Sequence, residues 1–121
     1  MYREIEIGGI NTPMLATGST PIRYKLIFKK DLLKEFDGLA TDIGKSETLS
    51  ELAFLMSMQA QAQDKKCDLN KLNFEAYINW LDQFEPYAIE YASDEIIDLY
   101  TANLTTTSEP KKKEQDGVKE K

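Results

Sequence analysis

Few side chains in this chain are able to carry chemistry, and their spacing does not assemble them. Cys67 stands between Lys65-Lys66 and Asp68, where neighbouring ammonium groups would lower the thiol pKa. A cysteine nucleophile usually takes its proton acceptor from histidine, and the 121 residues contain none. The same absence excludes Ser/His hydrolysis and removes the commonest zinc ligand. Asp94, Glu95 and Asp98 offer the paired carboxylates that acid–base chemistry needs, but they fall where helix capping and solvation already account for them. Gly8-Gly9 and Thr17-Gly18-Ser19 lack phosphate-loop and dinucleotide spacing. Residues 64–68 lack the regular oxygen ligands and central glycine of a calcium loop. The expectation is therefore a protein that is not an enzyme, has no catalytic, cofactor-binding or metal site, and works by binding other proteins.

The composition narrows the class of partner. A net charge of −6 argues against nucleic acid, whose binding draws most of its affinity from Lys and Arg neutralising phosphates. Arg23, Lys25, Lys29, Lys30 and Lys34 cluster early, whereas residues 72–110 contain no Lys or Arg. Such a charge dipole could attract a basic partner or further copies of the chain, in a homo-oligomer. No apolar run reaches the roughly 18 residues of a membrane span, and a single cysteine gives no internal disulfide, so a cytoplasmic protein is expected.

With 41% apolar and 30% charged residues, the chain suits one domain. Alternation over Tyr2 to Ile7, a Gly8-Gly9 turn and a second arm over Ile10 to Ala16 predict a β-hairpin, with Pro13 at an edge or before the arm begins. Ser19 or Thr20 caps a helix with Pro21 in its first turn. Its apolar stripe is read as Ile22, Leu26 and Ile27, then Leu32, Leu33 and Phe36, with a break at Lys29-Lys30-Asp31 and an end at Gly38 or Gly44. A helix from about Ser46 to Gln63 carries Leu49, Leu52, Ala53, Met56 and Ala60 on one face. Phe54, Leu55 and Met58 widen its apolar arc, so it is either central to the core or shared with a partner. Asn73 caps a helix over Phe74 to Phe84, with Trp80 off its stripe. Pro86 then interrupts, and Ser93 caps a last helix bearing Ile96, Ile97, Tyr100 and Leu104. The predicted fold class is α+β, mostly α: an N-terminal β-hairpin, then a bundle of four to five helices over 1–104, with a disordered charged tail over 105–121.

The order of these segments resembles a known family. The Ile7-Gly8-Gly9 hairpin, Ala16-Thr17-Gly18-Ser19-Thr20-Pro21-Ile22-Arg23-Tyr24, Asp31-Leu32-Leu33-Lys34 and the Leu52-to-Met58 helix are similar to the small tail assembly chaperones of long-tailed phages and prophages of Gram-positive bacteria. Trp80-Leu81-Asp82-Gln83-Phe84-Glu85 and the helix from Ile96 to Asn103 continue the similarity, which covers about residues 1–104. The resemblance implies a transient scaffold that binds the tape-measure protein, keeps it soluble, helps recruit tail-tube subunits and is absent from the mature virion. It also implies a longer product made by ribosomal frameshifting near Lys111-Lys112-Lys113. No local signature of the family fixes the tape-measure contacts, so Phe54, Met58 and Trp80 stand as candidates from the wide apolar arc and the off-stripe tryptophan. A head–tail connector or tail component that stays in the particle, or a small regulatory adaptor, is the alternative.

Overall fold

Alternating apolar and polar residues build the first element. In the computed structural model, which describes residues 1–37 and 45–108 with side chains within 1–35 and 47–102, β1 (Tyr2–Ile7) and β2 (Ile10–Leu15) form an antiparallel two-stranded sheet. Ile7 pairs with Ile10 across a two-residue turn in which Gly8 and Gly9 take φ of 56° and 84°. Positive φ at both positions matches the twist of the strands and is easy only without a β-carbon. Both strands are edges, so Pro13 is tolerated inside β2, opposite Glu4. The two glycines are not equivalent. A β-carbon on Gly8 would lie 3.1 Å from the Ala88 methyl, whereas none at Gly9 would meet an atom within 4 Å. Gly8→Ala is expected to cost about 1–3 kcal/mol and Gly9→Ala about 1 kcal/mol. Urea melts of the two variants measure the difference, and equal losses would show that the Ala88 contact plays no part.

Six α-helices follow among the described residues: α1 (Thr20–Phe28), α2 (Leu32–Asp37), α3 (Lys45–Gln63), α4 (Phe74–Leu81), α5 (Ala88–Tyr91) and α6 (Ser93–Ser108), with a 3-10 turn at Leu69–Lys71. Four of them are eight residues or longer, in keeping with the predicted hairpin and helical bundle. The predicted break between the first two helices lies at Lys29, whose φ of 62° turns the chain while its N–H donates to the Lys25 carbonyl. Asp31 then starts α2 by accepting the Leu33 N–H at 3.0 Å. Asn73 caps α4 as expected, accepting the Ala76 N–H at 2.9 Å. That helix ends at Leu81, short of the predicted Phe84, because the chain tightens ahead of Pro86 into i→i+3 bonds from Gln83 to Trp80 and from Phe84 to Leu81. The short α5, entered through Tyr87 at φ 69°, was not anticipated. α6 runs to Ser108, past the expected domain boundary at 104. Gly38, Gly44 and the tail from 109 onward lie outside the described residues.

α3 occupies the centre. Leu49, Leu52, Ala53, Phe54, Leu55, Met56 and Ala60 are all buried, and the hairpin, α1, α4, α5 and α6 pack around them. A helix enclosed on all sides needs no single apolar stripe, and this accounts for its wide arc. Aromatic rings close the space between α1, α3 and α4: Phe54 lies 5.5 Å from Tyr77, 5.8 Å from Trp80 and 6.4 Å from Phe28, centroid to centroid, in edge-to-face contacts.

α1 corrects the predicted stripe. Thr20 and Tyr24 are buried, with Phe28 packed against the core, whereas Ile22 and Leu26 are 63% and 66% exposed. The helix is turned this way by polar anchors as well as by its aromatic rings. Gln59 donates to the Leu15 carbonyl at 2.8 Å and to the Thr20 hydroxyl at 2.9 Å, and the Tyr24 hydroxyl donates to Glu51 at 2.5 Å. In α2, Leu32 is buried and Leu33 faces solvent.

Candidate partner-binding surface

The rotation of α1 leaves an apolar ridge, Ile22 and Leu26, one helical turn apart on its outer face. Opposite it the chain leaves α3 through Lys65 at φ 60° and makes the 3-10 turn, fixed by the Asp68 carboxylate accepting the Asn70 N–H at 2.9 Å. It then enters α4 at Phe74, whose ring is 69% exposed although it stands 5.9 Å from Tyr77. Between the two walls lies a groove of about 400 Å³ with Leu26, Ile27, Leu69, Leu72 and Phe74 as its apolar lining and Arg23 and Lys29 at its margin. A second hollow of about 620 Å³ shares Arg23, Leu69 and Asn70 with the groove and adds Lys65, Lys66, Cys67 and Asp68. Among the described residues the ion pairs are Arg3–Asp98 and Lys30–Glu51, and Arg23, Lys29, Lys65 and Lys66 take part in neither. A different exposed area is formed by the rings of Tyr87 and Tyr91, the latter 88% exposed, beside Glu85, Glu90 and Asp94 in sequence.

The three residues named as partner contacts are placed elsewhere. Phe54 is 1% exposed at the middle of the ring cluster, and Trp80 is 7% exposed between Phe54 and Phe84. Both are corrected to core residues, since the folded domain gives a partner almost no access to either ring. Met58 is half-buried against the core, with the Cys67 thiol donating to its sulfur at 3.8 Å. Phe54 and Met58 share α3, and Trp80 reaches Phe54 but does not join them in an exposed patch. The exposed apolar residues beside the groove are Leu26, read from the sequence as part of the first helix's apolar stripe, and Phe74. The spacing of Thr20, Tyr24 and Phe28, four residues apart, was the signal for the other orientation of α1.

The environment of Cys67 also reverses the expected direction. Partial burial, with the neighbouring Asp68 carboxylate in support, pushes the thiol above its ordinary value despite the adjacent lysines. A thiol held protonated in this way is a poor nucleophile. Among the described residues no three His, Cys, Asp or Glu side chains gather as a metal-holding group, and no helix is long and apolar enough to cross a membrane.

No protein-family model matches the chain, and neither a curated protein nor a solved structure matches it.

Proposed function

We propose that this protein is a phage tail assembly chaperone, which covers the apolar stripes of a long helical tape-measure protein, keeps it soluble, helps recruit tail-tube subunits and leaves before the virion is complete. The supporting observation is the apolar surface left over once the core is closed: Ile22, Leu26, Leu33, Phe74, Tyr87 and Tyr91 are exposed although α3 and its neighbours bury a full complement of side chains. Exposed apolar residues grouped along a helix and a groove suit reversible cover of an amphipathic helix. The ordered resemblance of residues 1–104 supports the same reading, as does the hairpin-then-helices architecture. On this reading the chain binds and does not catalyse.

Co-expression with the tape-measure protein encoded beside it is expected to raise that protein's soluble yield several-fold, and purified virions should lack the chain. An unchanged soluble fraction by centrifugation and gel analysis would count against chaperoning. Stoichiometric presence in virions by mass spectrometry would favour the alternative, a tail component that stays in the particle.

A further inference from the structure

The exposed apolar residues of α1 and α4 are not on a neutral background. We infer that the groove between α1 and residues 69–74 binds an amphipathic helix whose apolar stripe is flanked by Asp and Glu. The assignment rests on the reading of the chain as a cover for helical partners, and adds where one such helix sits and which charge it carries. Leu26 and Ile27 line the groove's α1 wall, and Leu69, Leu72 and Phe74 line the other. α1 has nine residues, a length of roughly 14 Å, enough for about two and a half turns of a helix lying along it. Two or three apolar side chains at i, i+3 or i+4, and i+7 would reach the groove over that length.

The charge follows from the rim. Arg23 and Lys29 border the groove and Lys65 and Lys66 border the hollow continuous with it, against one carboxylate, Asp68, whose oxygen already accepts a backbone N–H. Arg23 donates to the neutral Ser19 hydroxyl at 3.3 Å and makes no ion pair among the described residues. In a chain of net charge −6 this is a local reversal of sign, set directly beside exposed leucine and phenylalanine. Carboxylates flanking a docked stripe would meet these cations, while a lysine-flanked helix would be repelled.

The test uses labelled helical peptides of roughly 15 residues with one leucine stripe and either Glu or Lys on the flanks, titrated with the full chain by fluorescence anisotropy. The Glu peptide should bind at least about tenfold more tightly than the Lys peptide, and the gap should narrow as salt rises. Leu26→Ser with Phe74→Ser should abolish binding, and circular dichroism should be unchanged because both side chains are exposed. Arg23→Glu with Lys29→Glu should reverse the preference, an outcome that misfolding cannot produce. Equal binding of both peptides, binding of neither, or binding indifferent to Leu26 and Phe74 would overturn the inference. Self-association seen by sedimentation and removed by Leu26→Ser would also overturn it, by making a second copy the occupant. Solubilisation of a tape-measure protein that survives the loss of peptide binding would leave the chaperone reading standing and reject this groove alone.

Discussion

Phe54→Ala is expected to destabilise the domain by about 3–5 kcal/mol. For a domain of this size that lowers the melting temperature by on the order of 15–25 °C. The ring is 1% exposed on the central helix and is shared by three others, from α1 and α4. Truncation removes its transfer free energy and leaves a cavity that neighbours on α1 and α4 would have to move together to fill. Thermal melts followed by circular dichroism check the size of the loss. A fall of less than about 1 kcal/mol would mean that the ring sits at an interface instead of in the core. Phe54→Leu, which keeps most of the volume, should recover more than half of the loss.

Glu51→Ala carries the second largest effect, a loss of about 2–3 kcal/mol. Glu51 is buried on α3 and joins two other elements: it accepts from the Tyr24 hydroxyl at 2.5 Å and from the Lys30 ammonium at 2.9 Å. Lys30 is partly exposed and regains water when its partner goes, whereas the Tyr24 hydroxyl is left buried and unpaired. The cost therefore falls mainly on the tyrosine. Tyr24→Phe in the Glu51→Ala background should restore part of the stability, and a double-mutant cycle measures the coupling. If the two losses simply add, the hydrogen bond carries no stability.

The same network fixes the response to alkali. Burial first, then the hydrogen bond and charge of Glu51, raise Tyr24 above its ordinary 10.0. Burial is also the largest cause for Tyr77 and Tyr100, which move the same way. For Lys30 burial acts downward, but the bond to Glu51 and its charge outweigh it and raise the group above 10.5. In every case the folded state holds a proton that the unfolded chain releases, so this stability is complete below about pH 10 and is lost as pH rises beyond it. Melting temperature should fall between pH 10 and 11.5, and less steeply in Glu51→Ala, where Tyr24 has lost two of its causes. A melting temperature that rose over that interval would contradict the sign.

The hairpin was legible because its signals are local: alternation, two glycines and an edge proline all act within a few residues. α3 and the Asn73 cap were legible for the same reason. The orientation of α1 was not. Aliphatic Ile22 and Leu26 form the more hydrophobic stripe, yet the buried face belongs to Thr20, Tyr24 and Phe28, whose hydroxyls and rings find partners far along the chain, on α3 and α4. The four-residue spacing of these three marks a second face, and tertiary hydrogen bonds decide between it and the aliphatic one. Phe54 and Trp80, named as partner contacts, were misread in a related way, since both are buried. A wide apolar arc and a tryptophan are equally the marks of an interface and of a central helix, and here α3 and Trp80 belong to the core.

The position of α3 also divides the molecule by how readily its parts open. Its amide protons are enclosed by every neighbouring element, so they should exchange with deuterium only when the whole domain unfolds. The outer face of α1 and the 3-10 segment carry exposed side chains, and their amides should exchange sooner, through local fluctuations. On the proposed reading, recognition on these margins would let a partner come and go without disturbing the slow-exchanging centre. Had Phe54 been the contact, each binding event would have required the domain to unfold.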